Sequence, residues 1–168
     1  MMISNISELP ERIKKGKSLL GIDYGSKIIG IAVSDEGLTI ASPLISLVRT
    51  KLAADIKAIA KIVIERNIGG FVIGMPKNMD GRDNATAQAV RAFARNLTVN
   101  AEVCGFPKGH EEMPIVFWDE RLSSAGIEKL LISNEMSRLH RTRIIDKMAA
   151  AYILQGALDC MKHSGVCS

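Results

Sequence analysis

Leu19-Leu20-Gly21-Ile22-Asp23-Tyr24-Gly25 is the stretch on which the reading of this 168-residue chain turns. A short apolar run bounded by breakers reads as a buried strand. The run ends in a carboxylate, and a charge on a buried strand is costly unless something pairs with it. Gly21 and Gly25 flank that carboxylate and let another backbone or a ligand approach closely. A metal ion or a phosphate-bearing partner accounts for all three features. A carboxylate capping a turn is the ordinary alternative.

Outward from this strand, residues 28–34 and 38–48 form two more apolar runs. The gaps before each are short enough for hairpins, which makes the three strands antiparallel neighbours. Pro43 cannot donate to a ladder, so its strand belongs at a sheet edge. From residue 51 the period changes. Leu52, Ile56, Ile59 and Val63 recur at helical spacing, predicting an amphipathic helix over 51–66 that Gly69-Gly70 ends. A buried strand over 71–74, a loop over 75–81 and a helix over 84–97 follow. Residues 100–113 read as a loop, with Gly105, Pro107 and Gly109 as breakers. A fifth strand over 115–118, a short helix over 124–132 and a longer helix over 142–162 complete the pattern. The expected architecture is α/β: a mixed five-stranded sheet flanked by helices, with three antiparallel strands and then alternating helix and strand. Residues 1–17 are polar and aperiodic and read as an N-terminal extension. Residues 18–168 read as a single domain, in keeping with the usual domain size of roughly 100–200 residues.

The bulk composition bounds function loosely. Twenty-two basic and 18 acidic residues give +4, which suits a nucleic-acid partner without requiring one. No apolar run approaches the ~20 residues of a membrane span, and the N-terminus lacks the apolar segment of a signal peptide. A cytoplasmic protein without a membrane partner is expected. The three cysteines, Cys104, Cys160 and Cys167, are odd in number and widely spaced, which predicts reduced thiols. His110, His140 and His163 are scattered and read as surface or structural residues. Gly16-Lys17-Ser18 resembles the tail of a phosphate-binding P-loop, but the strand follows it instead of preceding it. The few aromatic residues argue against a stacking platform for single strands.

Three carboxylates carry the chemistry. Asp23 ends strand one, Glu120 follows strand five beside Asp119, and Asp146 lies near the start of the last helix among small and apolar neighbours. In a parallel arrangement the ends of strands one and five share the ligand-binding edge of an α/β sheet. Each carboxylate has a plain alternative: a solvated turn for Asp119 or Glu120, a helix N-terminal charge for Asp146. Together they suit Mg²⁺ or Mn²⁺, because hard cations take oxygen ligands. Such ions can activate a water and stabilise the leaving oxygen in phosphodiester hydrolysis. Arg141 and Arg143 lie beside Asp146. Lys77 and Arg82 flank the Gly/Pro/Asn loop after strand four, and Lys27 follows Asp23. All five are candidate phosphate contacts.

GIDYGSKIIGIAVSD, GMPKNMDG, WDERLSS and IDKMAAAYILQGALD stand in this order over residues 18–160. This run resembles the YqgF nuclease family, Holliday-junction-resolvase-like proteins of the ribonuclease H-like superfamily. The resemblance implies a ribonuclease H-like fold and divalent-metal-dependent cleavage of a nucleic-acid phosphodiester. In bacteria the family is linked to maturing the 5′ end of pre-16S rRNA. The resemblance implies Asp23, Glu120 and Asp146 as catalytic metal ligands, with Asp119 weighted lower. It places Asn78 in a loop near substrate and makes Arg121 structural or phosphate-binding. Many relatives carry Arg where this chain has Ile28, which removes a cation near Asp23.

The expected function is a metal-dependent nuclease acting on pre-rRNA, or alternatively on branched DNA such as a four-way junction. The expected state is a monomer or weak homodimer. A non-catalytic nucleic-acid binder on the same fold is a competing reading, although a pure binder gains nothing from carboxylates facing phosphates. An actin-like ATPase is a third, because GIDYGS resembles the first phosphate loop of that class, but such enzymes need a second similar domain.

Overall fold

The computed structural model describes residues 2–3, 5–76, 84–99, 105–110, 113–119 and 138–162; of residues 2, 3 and 138–146 it describes the backbone alone. The central strand is β2, Ser18–Tyr24, which holds the LLGID run. It pairs antiparallel with β3, Ile28–Ser34, which pairs antiparallel with β4, Ala41–Val48. On its other side β2 pairs parallel with β5, Ile68–Met75, and β5 pairs parallel with β6, Ile115–Asp119. A two-residue strand β1, Met2–Ile3, adds in parallel to β6. The sheet order is β1-β6-β5-β2-β3-β4. The expected mixed five-stranded sheet is present, widened by one short strand from the N-terminus. This is the ribonuclease H-like arrangement.

Pro43 lies in β4 at the sheet edge, as its missing N–H requires. The β3–β4 register shifts between Ile31 and Ala32, next to the proline's partner. Gly69-Gly70 does not end a helix. Helix α2, Leu52–Glu65, stops earlier, and Asn67 at φ +53° makes the turn into β5. Both glycines sit inside β5 because neighbours crowd them: a Cβ at Gly69 would stand 2.5 Å from the Lys17 Cβ.

Strand alternation sorts the side chains into two cores. One face carries Leu20, Ile22, Phe71, Ile73 and Ile115. It packs against α2 and against helix α3, Ala85–Val99, through Ile56, Ile59, Val90 and Phe93. The opposite face carries Leu19, Val72 and Val116. It packs against helix α4, Arg138–Lys162, through Ala150, Ile153, Leu154 and Leu158. Short helix α1, Leu9–Arg12, joins this second core; Leu9 is fully buried there, with Ile6 beside it. Part of the N-terminal extension therefore belongs to the packed body.

The expected helix over 124–132 lies outside the described residues. Within the expected loop over 100–113, His110 is buried and structural. Its ring stacks on Phe106 at 3.7 Å, and its Nε2 stands 2.6 Å from the Leu97 carbonyl oxygen. Cys160, buried on α4, is disulfide-bonded, which corrects the expectation of reduced thiols. Spacing along the chain could not reveal it, since a disulfide depends on tertiary proximity.

Candidate active site

β2, β5 and β6 run parallel, so their C-terminal ends share one edge, where open α/β sheets place their ligands. Asp23 stands at that edge in β2 and is half-buried. It follows Leu19 and Gly21 by twos along the strand, so it shares their face, the one α4 covers. Asp119 ends β6 opposite Met75. It follows Ile115 and Phe117 by twos and so belongs to the α2/α3 face. Asp23 and Asp119 therefore share an edge but not a face, which makes Asp119 the weaker candidate ligand.

Helix α4 crosses β2 at Gly21. A Cβ there would stand 2.7 Å from the Leu154 Cβ and 2.9 Å from the Ala150 carbonyl oxygen. Only a glycine lets the helix come this close. Farther along, the Gln155 side chain accepts from the Ala41 N–H at 2.9 Å and donates to the Thr39 carbonyl at 3.1 Å. Ala41 pairs with Ser34, beside the start of β2. The helix thus runs antiparallel to β2, and its N-terminal half extends toward the Asp23 end. Asp146 lies one turn before Ala150. That turn rises about 5.4 Å, and the two-residue step from Gly21 to Asp23 rises about 6.6 Å. The backbone positions of Asp23 and Asp146 therefore advance side by side from the crossing.

Gly25 closes the β2–β3 hairpin after Asp23: its N–H donates to the Ile28 carbonyl at 3.0 Å. A Cβ at Gly25 would stand 2.5 Å from that same oxygen, so glycine is required there as well. Arg49, just past β4, clamps the hairpin. Its Nη1 donates to the carbonyls of Gly25 at 3.0 Å and Ser26 at 3.1 Å, and its backbone N–H donates to Lys27 at 2.8 Å. The guanidinium lies 4.3 Å above the Tyr24 ring, which stacks on Phe93 at 4.2 Å. Burial raises the Tyr24 phenol above its ordinary value; the Arg49 charge opposes this and Asp55 adds to it. Asp55 is buried at the start of α2 and accepts from the Thr50 N–H and hydroxyl, both at 3.1 Å. Between the hairpin and the start of α3 lies an open groove of about 270 Å³, lined by Tyr24, Ser26, Arg49, Thr86 and Ala89.

Of the residues expected from sequence, Asp23 and Lys27 lie at this edge, with Lys27 exposed in the hairpin. Asp146, Arg141 and Arg143 lie in the N-terminal half of α4, described there in backbone only. Glu120, Arg121, Lys77, Asn78 and Arg82 lie outside the described residues. Among the described residues, no three His, Cys, Asp or Glu side chains stand close enough together to hold a metal. Sequence reasoning missed Arg49. No local signal marks it: the β3–β4 register, which pairs Ile28 with Val48, sets Arg49 beside the hairpin.

Residues 17–160 match a family model described as "RuvX: Holliday junction resolvase". A protein of Rhodospirillum centenum named "Putative pre-16S rRNA nuclease" is 43% identical over 163 residues, covering 97% of this chain and 84% of that protein. A protein of the same name from Paracoccus denitrificans is 43% identical over 165 residues, covering 98% of each chain. Among solved structures, Thermus thermophilus RuvC in complex with a Holliday junction substrate is similar at a TM-score of 0.47 and 15% identity, covering 86% of this chain and 96% of that one.

Proposed function

We propose, from the premise that this chain belongs to the RuvX Holliday junction resolvase family, that it is a nuclease hydrolysing phosphodiester bonds at the Asp23 edge. The observation that carries this reading is the half-buried Asp23 carboxylate, set at the shared C-terminal edge on the face where α4 brings the Asp146 position alongside. The reading takes Asp23, Glu120 and Asp146 as ligands of Mg²⁺ or Mn²⁺. An all-carboxylate donor set suits a hard divalent cation. When bound, such an ion supplies Lewis acidity and lowers the pKa of an attacking water.

The chain's own residues hold and orient the substrate. The reading takes Lys27 in the hairpin, and Arg141 and Arg143 on α4, as cations for the substrate phosphates. Lys77, Asn78, Arg82 and Arg121 complete the proposed substrate contacts. The names of the relatives support pre-16S rRNA processing as the biological reaction, and this reading takes the cytoplasm as its place. The family description supports a second reading, cleavage of four-way DNA junctions. In either case the partner is nucleic acid and the working state a monomer or weak homodimer. Among the described residues no helix is long and apolar enough to cross a membrane.

The test is a cleavage assay with Mn²⁺ in which pre-rRNA leader, four-way junction and plain duplex are offered side by side. Asp23→Asn should lower cleavage by about 10²–10³-fold, the order expected when one main electrostatic element of a site is lost. Its circular dichroism should match that of the parent. Full activity in a clean Asp23→Asn preparation would refute the site.

A further inference from the structure

At the opposite edge of the sheet, four cations surround a concave pocket of about 160 Å³: Arg12, Lys14, Lys17 and Lys108, over a floor that includes Gly69 and Pro114. They come from separate stretches of chain. Arg12 ends α1. Lys14 and Lys17 flank a turn that Gly16 makes at φ +82°, and Lys108 precedes Gly109 at φ +83°. Arg12, Lys14 and Lys108 are exposed. Lys17 is half-buried, and its amine donates to the Asn67 side-chain oxygen, while the Asn67 amide donates to the Gly16 carbonyl at 3.1 Å. Gly69 keeps this arrangement open, because any larger residue would meet the Lys17 stem.

Among the described residues no carboxylate lines the pocket, and the ion pair found, Lys61–Glu65, lies elsewhere on α2. Four like charges around one concavity repel one another and focus a positive potential. An anion relieves that repulsion. Asp23 lies level with Gly74, so the pocket floor at Gly69 is five strand residues away, roughly 17 Å. The pocket is therefore separate from the catalytic edge.

We infer that this pocket is a second phosphate-binding site, which takes backbone phosphates of the substrate nucleic acid away from the bond that is cut. The inference rests on the nuclease reading for the identity of the polymer. The cluster's charge supplies the rest. It widens the footprint from one edge of the sheet to both, so that long substrates gain contacts short ones cannot reach.

The test measures binding without divalent metal, by fluorescence anisotropy over a salt series. The proteins are the parent, the triple variant Arg12→Gln/Lys14→Gln/Lys108→Gln, and Lys61→Gln as a control that removes a surface cation away from the pocket. All four positions are exposed, and circular dichroism checks the fold. On RNA long enough to pass both edges, each lost phosphate contact should lower the slope of log K against log salt by about one. The triple variant should therefore lose about two to three in slope, and Lys61→Gln nothing. In the parent, an oligonucleotide too short to reach from the pocket to Asp23 occupies one site at a time and should show a smaller slope than long RNA. Unchanged slope and affinity of the triple variant on long RNA would overturn the site, as would equal parental slopes on long and short RNA. Pyrophosphate binding lost in the triple variant while long-RNA binding is kept would assign the pocket to a free anion and also overturn it. A parent that binds RNA with the expected slope difference but cleaves none of the substrates would sink the nuclease reading and leave this site standing.

Discussion

Tyr24 shows how one residue beside the proposed site is held from three sides. Phe93 stacks beneath it, Arg49 lies above it, and the following glycine turns the chain away. Burial favours the neutral phenol, so the folded pKa lies above the ordinary value of 10.0. Stability from this shift is therefore fully present below pH 10 and is lost as pH rises through the folded value. In a Tyr152→Phe background, ultraviolet titration should show Tyr24 ionising above its ordinary value. Arg49→Gln should raise it further, because the guanidinium charge now favours the phenolate. A downward shift in that variant would mean that Arg49 does not act on the ring through its charge. Asp23 was legible in the sequence because a charge on an apolar run is conspicuous. Arg49 was not, because its role depends on the β3–β4 register, which no local pattern states.

Helix α4 and strand β2 meet at Gly21, and that contact sets how near Asp146 comes to Asp23. Gly21→Ala adds a methyl 2.7 Å from the Leu154 Cβ and 2.9 Å from a backbone oxygen, so the helix must move. The expected loss is about 1–3 kcal/mol, the usual range for overpacking, read from urea unfolding. Cleavage should fall along with stability, because the Asp146 position moves with the helix. A stable variant with parental activity would show that the crossing distance does not govern the site. The periodicity of 51–66 and Pro43 announced their elements correctly: helical spacing and a missing N–H are local properties. The Gly69-Gly70 pair misled, because glycine signals a breaker in sequence but serves here to admit Lys17 and Pro114 against a strand.

Across the whole molecule, residues 2–3 and 6–12 join the fold. Leu9 is fully buried in the core beneath α4, and Met2–Ile3 extend the sheet beyond β6. Leu9→Ala should lower unfolding free energy by about 2–5 kcal/mol, seen as a lower urea midpoint with an unchanged slope. A change below about 0.5 kcal/mol, typical of surface positions, would place this segment outside the cooperative unit. The polar, aperiodic look of residues 1–17 concealed this, since Ile6 and Leu9, the two buried side chains among the described residues there, leave no period to detect. The order of strands and helices, the edge position of β4 and the candidate carboxylates were all set by local composition and spacing, because hydrophobic period, proline and isolated charge act within a few residues. Tertiary structure alone decided which face Asp23 shares with α4, how Arg49 clamps the hairpin, and that four distant cations gather at the far edge. Those facts arise from register and packing between segments far apart in the chain.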